Sequence, residues 1–118
     1  MTTKFLAAAQ GPFPSSSELT PEWKSFFTLV KKHLTKTLAG VAENVELSRG
    51  HFYFSGFLTR KSDGQIFYIS CEDVRYYQGF NKLLVRTAKS YKDYTGGTNG
   101  YVIVDDNFEE KLLRFLGV

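Results

Sequence analysis

Residues 51–75, HFYFSGFLTRKSDGQIFYISCEDVR, constrain the fold more than any other part of the chain. Lys61-Ser62-Asp63-Gly64 is turn chemistry: Asp hydrogen-bonds its own backbone, and Gly accepts a positive φ without steric cost. The flanking runs are rich in aromatic and β-branched residues, which suit a pleated surface. With Arg60 and Gln65 bracketing the turn, Leu58 faces Phe67, Gly56 faces Ile69 and Phe54 faces Cys71. Side chains alternate along a strand, so Phe52, Phe54, Leu58, Phe67, Ile69 and Cys71 share one apolar face, the predicted core. The other face takes His51, Tyr53, Ser55, Phe57, Thr59, Ile66, Tyr68 and Ser70. Gly56 in mid-strand signals a bulge or a close backbone approach.

The remaining elements are arranged around this hairpin. Residues 1–19, with Gly11, Pro12, Pro14 and a run of three serines, have no usable periodicity and are expected to form an irregular arm. Thr20-Pro21-Glu22 starts a helix, with Thr as N-cap and Pro in the first turn. Trp23, Phe26, Phe27, Val30, Leu34 and Leu38 then fall on one stripe, and Gly40 ends the helix. Val45 and Leu47 alternate with polar residues and are read as a lead into the first hairpin strand, with Gly50 a bulge or break. Residues 82–88 (KLLVRTA) are a further strand, and residues 101–104 the last. Asp105-Asp106-Asn107 precedes a final helix, and Asp106 with Glu109 has capping-box spacing.

The order is helix, four strands, helix. Consecutive strands pair most simply as antiparallel neighbours. Each helix has a single apolar stripe, so both cover the same sheet face. The expectation is one α+β domain over residues 20–118, α-β-β-β-β-α, with a four-stranded antiparallel sheet covered on one face. Double-stranded-RNA-binding domains have a similar helix–strands–helix order. Residues 105–110 (DDNFEE), however, are acidic where that family's second helix begins with lysines, so its function does not carry over.

At 118 residues, one core is what the chain can build. Its 42% hydrophobic and 23% charged residues are ordinary for a globular domain. No apolar run is long enough to span a bilayer, so no membrane partner is expected. The single cysteine, Cys71, lies on the core face. This fits a reducing compartment and predicts a cytoplasmic protein. His33, His51 and Cys71 stand apart, and no glycine-rich phosphate loop is present, so no metal, cofactor or catalytic residue is assigned. The adjacent acids Glu72 and Asp73 would point to opposite faces of a strand, which argues against a shared metal.

The positive signal is a basic aromatic constellation. Tyr53, Phe57 and Tyr68 lie on the second hairpin face, with Arg49 and Arg60 read as its rim. Arg75 closes the hairpin, and Arg86, Lys89, Tyr91, Lys92 and Tyr94 run through strand and loop near a glycine-rich stretch. Cations for a backbone and rings for bases are what single-stranded DNA or RNA binding needs. The predicted function is a small non-enzymatic protein that binds single strands with this surface. The alternative is a protein–protein module, an inhibitor or adaptor such as phages and mobile elements encode, because Tyr and Arg also dominate protein interfaces. A homodimer burying Tyr53, Phe57 and Tyr68 is a third arrangement that such a face allows.

Overall fold

The computed structural model describes residue 9 and residues 21–50, 53–74, 79–93 and 97–117. Along them run helix α1 (Pro21–Leu38), strands β1 (Ala42–Arg49), β2 (Phe54–Arg60), β3 (Ile66–Cys71), β4 (Lys82–Ala88) and β5 (Asn99–Ile103), and helix α2 (Phe108–Phe115). The arm read at residues 1–19 lies outside the described residues, apart from Ala9. Ala9 is buried, and its carbonyl accepts a hydrogen bond from the Phe80 N–H.

The sheet is antiparallel throughout and ordered β1-β2-β3-β4-β5, so every strand pairs with its neighbour in sequence. This corrects the expected four strands to five. The additional strand is β1, and the reason it hid is physical. Asn44 has φ 54°, and the β1–β2 register shifts between Glu43 and Glu46. This bulge inserts a residue and breaks the period-two pattern by which a strand is recognised. Only Ala42 and Leu47 of β1 are buried, so the hydrophobic signal is thin as well. The break read at Gly50 is where the chain reverses between β1 and β2, with the Gly50 N–H donating to the Tyr53 carbonyl at 2.7 Å.

The hairpin register is the one the turn chemistry implies: Leu58 opposite Phe67, Gly56 opposite Ile69, Phe54 opposite Cys71. Gly64 has φ 74°, and the Asp63 carboxylate accepts the Gln65 N–H at 3.0 Å. Phe52 lies outside the described residues. The rest of the expected core face is buried, together with Leu83, Val85 and Val102 from β4 and β5. Burial pushes the Cys71 thiol up to about 12, so it is a packing group rather than a reactive one.

Both helices cover that face, as their single stripes require. Trp23, Phe26, Val30, Leu34 and Leu38 of α1 are buried, as are Phe108 and Leu112 of α2 with Leu116 beyond it. Phe80 stands where the layers meet. Its ring lies 6.0 Å from Phe26, 5.4 Å from Phe54 and 6.2 Å from Phe108, each edge-on, the favoured aromatic geometry.

Both helices end at the β2–β3 turn. The Lys61 ammonium donates to the Ala39 carbonyl past the end of α1 at 2.9 Å, and an Arg60 Nη1–H donates to the Leu116 carbonyl past the end of α2 at 2.9 Å. A cation at a helix C-terminus satisfies orphan carbonyls and opposes the negative end of the dipole. At the other helix end, the capping box is absent. Asn107 occupies the N-cap without a side-chain bond, Asp105 accepts the Asn107 N–H, and Glu109 turns towards His33 of α1 at 3.6 Å.

Candidate functional site

The sheet face away from the helices carries Phe57, Tyr68 and Arg86 of the sequence-predicted residues, and the register arranges this face in rows. One row runs across all five strands: Glu46, Phe57, Tyr68, Arg86, Asn99. Beside it runs Ser48, Ser55, Ser70, Leu84, Tyr101, a floor of small hydroxyl residues ending in a leucine and an exposed ring. On the other side of the first row, Thr59 pairs with Glu43 and Ile66, and Ile66 with Ala88. Directly opposed side chains on one face stand within contact distance, so each row is a continuous surface.

The rings are partly covered. Phe57 and Tyr68 are half-buried, with centroids 5.2 Å apart. The turn after β4, closed by a Ser90–Asp93 bridge, reaches back over the sheet and lays Tyr91 on Phe57 at 5.6 Å and 26°. The Tyr91 hydroxyl has one proton to give. It donates to the Asn44 carbonyl at 2.9 Å and accepts from the Thr59 hydroxyl at 2.6 Å. The bulge that disrupts β1 therefore also supplies the carbonyl that holds this loop. Gly97 allows the chain to return closely, because a Cβ there would lie 2.1 Å from the Thr87 carbonyl oxygen.

The charges on this face are graded. Glu43 and Glu46 lie at the β1 side, while Lys82 and Arg86 of β4 lie towards the other; Lys89 and Lys92 follow in the turn after β4. An Arg86 Nη1–H donates to the Asn99 side-chain oxygen at 2.7 Å, which fixes the guanidinium in the row beside Tyr68. The Lys82 ammonium sits 4.5 Å from the centre of the Tyr101 ring, a cation–π pair, and Tyr101 is 49% exposed. Tyr53 is 45% exposed, at the β1–β2 end, with its ring against Gly50.

Arg60 falls on the opposite side of the sheet. By alternation it belongs with Leu58, its guanidinium lies 5.2 Å from the Phe67 ring centre, and its donors go to Asp63 and Leu116. Those hydrogen bonds, with one from the Gln65 N–H, hold the Asp63 carboxyl at about 2. Arg49, opposite Phe54, also alternates onto the helix side. Arg75 and Tyr94 lie outside the described residues. Lys82 and Tyr101 join the face although sequence reasoning did not single them out. The available signal was the alternation of KLLVRTA: once Leu83 and Val85 are core, Lys82, Leu84 and Arg86 must face away.

Among the described residues no three His, Cys, Asp or Glu side chains come together as a metal set, and no helix is long and apolar enough to cross a membrane. Among the described residues the fold is thus a five-stranded antiparallel meander with two helices on one face, and its other face combines rings and cations. No protein-family model, curated protein or solved structure matches the chain.

Proposed function

We propose that the helix-free face of the sheet binds single-stranded DNA or RNA without catalysis. One observation carries the reading: on β4, Arg86 stands opposite Tyr68 and the Lys82 ammonium lies 4.5 Å from the Tyr101 ring centre, with Lys89 and Lys92 following in the turn after the strand. A single strand presents both phosphates and unstacked bases, and this spacing answers both. Tyr53 extends the aromatic surface at the far end, and Phe57 under Tyr91 braces it. The acidic β1 side sets a limit, since Glu43 and Glu46 repel a phosphate backbone and confine it to the β3–β5 half. A reducing, cytoplasmic setting goes with this reading, because such strands occur there and Cys71 is a free buried thiol.

The test is fluorescence anisotropy of labelled single-stranded DNA and RNA at two salt concentrations. Four phosphate contacts give a log–log salt slope of about −2.8, or roughly 50-fold weaker binding when salt rises fourfold. Replacing Arg86, Lys89 and Lys92 together with Ala should remove most of the affinity and flatten the slope. No binding at low salt would sink the proposal and turn attention to a protein partner on this face.

A further inference from the structure

The lysines of α1 carry charge that the rest of the molecule does not answer. Elsewhere Arg60, Lys61, Lys82, Arg86, Lys111 and Arg114 are each engaged by a carboxylate, a carbonyl, an amide oxygen or a ring. Lys24, Lys31, Lys32 and Lys36 are exposed, and among the described residues no acid pairs with any of them. Spacings of three and four place Lys24, Thr28, Lys31 and Thr35 in one line, with Lys32 and Lys36 beside it. Along this flank runs an open groove of about 700 Å³, rimmed by Lys31, Lys32 and Lys36 and floored by Phe27, Thr28, Thr35 and Ala39. The floor is apolar. Phe27 is half-buried with its ring 6.3 Å from Phe54, and the Thr28 hydroxyl donates to the Lys24 carbonyl at 3.1 Å, which leaves the methyl towards the groove. The neighbouring elements do not cancel the charge. The opposite flank of α1 is the one that meets α2, where His33 lies 3.6 Å from Glu109. The groove side lies over β1, whose acids Glu43 and Glu46 belong to the helix-free face and whose Arg49 alternates onto the helix side. Lys61 stands at the far end, on the Ala39 carbonyl, and Glu22, the one acid of α1, precedes the groove in the first turn.

We propose that this flank of α1 docks an acidic amphipathic helix of another protein, with the partner's apolar stripe on Phe27, Thr28, Thr35 and Ala39 and its carboxylates on the lysines. From Phe27 to Ala39 is about 18 Å along α1, the length of roughly three helical turns. A strand does not suit the site, because the bulge and Asn44 keep the β1 edge from pairing. A second copy of this chain supplies no such helix: α1 repels its twin, and the α2 acids Glu109 and Glu110 are held by His33 and Arg114. A phosphate backbone would satisfy the lysines but has no apolar group for Phe27 and Ala39. An anionic bilayer needs large apolar side chains standing out of the surface, and Phe27 is half-buried.

The probe is a fluorescein-labelled helical peptide of about 14 residues, with glutamates flanking a leucine stripe at helical spacing, beside a scrambled peptide of the same composition. Fluorescence anisotropy at moderate salt should show the patterned peptide binding at least about tenfold more tightly than the scrambled one, the difference that the apolar floor supplies. Lys31→Glu/Lys32→Glu/Lys36→Glu should weaken binding at least about tenfold. Thr35→Glu, a single exposed change, should do the same if the triple variant does not fold. Lys89→Glu/Lys92→Glu, in the turn after β4, should bind like the wild type. Equal binding of the two peptides, no binding up to about 500 µM, or binding that survives Thr35→Glu would each overturn the proposal. So would displacement of the peptide by single-stranded DNA or by vesicles of phosphatidylserine and phosphatidylcholine, which would assign the lysines to phosphate.

Discussion

Gly56 and Gly100 make nearly the same steric demand on their surroundings, yet replacing them with alanine should have very different results. A Cβ at Gly56 would lie 1.9 Å from the Glu46 carbonyl oxygen and 2.7 Å from a Leu47 methyl. A Cβ at Gly100 would lie 2.1 Å from the tip of the Phe115 ring. The Phe115 ring is part-exposed and can rotate away, and alanine suits a strand better than glycine by about 0.5–1 kcal/mol, so Gly100→Ala should stay within about 1 kcal/mol of the wild type. The Glu46 carbonyl belongs to β1 and cannot move alone. Taking that oxygen from 1.9 Å out to the roughly 3.0 Å that a Cβ tolerates displaces the strand by about 1.1 Å. Two or more β1–β2 ladder bonds stretch, at about 1 kcal/mol each, and Leu47 must repack. The expected cost for Gly56→Ala is therefore about 2–4 kcal/mol, or about 8–16 °C in Tm for a domain of this size. Urea titration followed by circular dichroism and Trp23 fluorescence measures both variants. A Gly56→Ala midpoint within about 1 kcal/mol of the wild type, or above that of Gly100→Ala, would refute the reasoning.

Two further perturbations probe the loop and the helix pair. Tyr91→Phe keeps the stack on Phe57 but loses the hydroxyl bridge between Thr59 and Asn44, and should cost about 1 kcal/mol in urea titration; a value indistinguishable from wild type would mean the bridge contributes nothing. Burial lowers the His33 pKa below its ordinary 6.5; Lys36 lowers it further and Glu109 opposes both. The unfolded chain therefore takes up the proton first, so stability should be full above about pH 6.5 and fall as the pH drops below it. His33→Gln should flatten that part of a Tm-against-pH curve, and a wild type that gains stability on acidification contradicts the assignment.

The readable parts of the sequence were those governed by one local rule. Asp63-Gly64 specified the turn, and the turn specified which residue of β2 faces which residue of β3. The spacing of Trp23, Phe26, Val30, Leu34 and Leu38 specified the buried side of α1. β1 was missed because Asn44 leaves the ordinary backbone region and shifts the alternation, a conformation that pairing with β2 stabilises and a linear pattern conceals. Of the aromatic residues that the alternation pattern put on one face, Phe57 and Tyr68 stand directly opposite each other. The cationic rim of the site was not legible. Arg60 looked available in sequence, but one turn of strand alternation and the arrival of Leu116, 56 residues away, commit it to the other side. Tyr91 was chosen for its basic surroundings, whereas its position over Phe57 depends on a carbonyl 47 residues earlier in the chain.

The bonds from Arg60 and Lys61 to the two helix ends also divide the folding reaction in time. In a meander each strand needs only its sequence neighbour, so the sheet can grow outward from the β2–β3 hairpin with short loops to close. The helix ends arrive over longer separations, 22 residues for Ala39 and 56 for Leu116. The Arg60–Leu116 bond therefore forms after the sheet is complete, on a turn that the hairpin has already put in place. The consequence is kinetic: losing the Arg60 guanidinium should leave the rate of sheet formation nearly unchanged and act mainly by letting the closed structure open sooner.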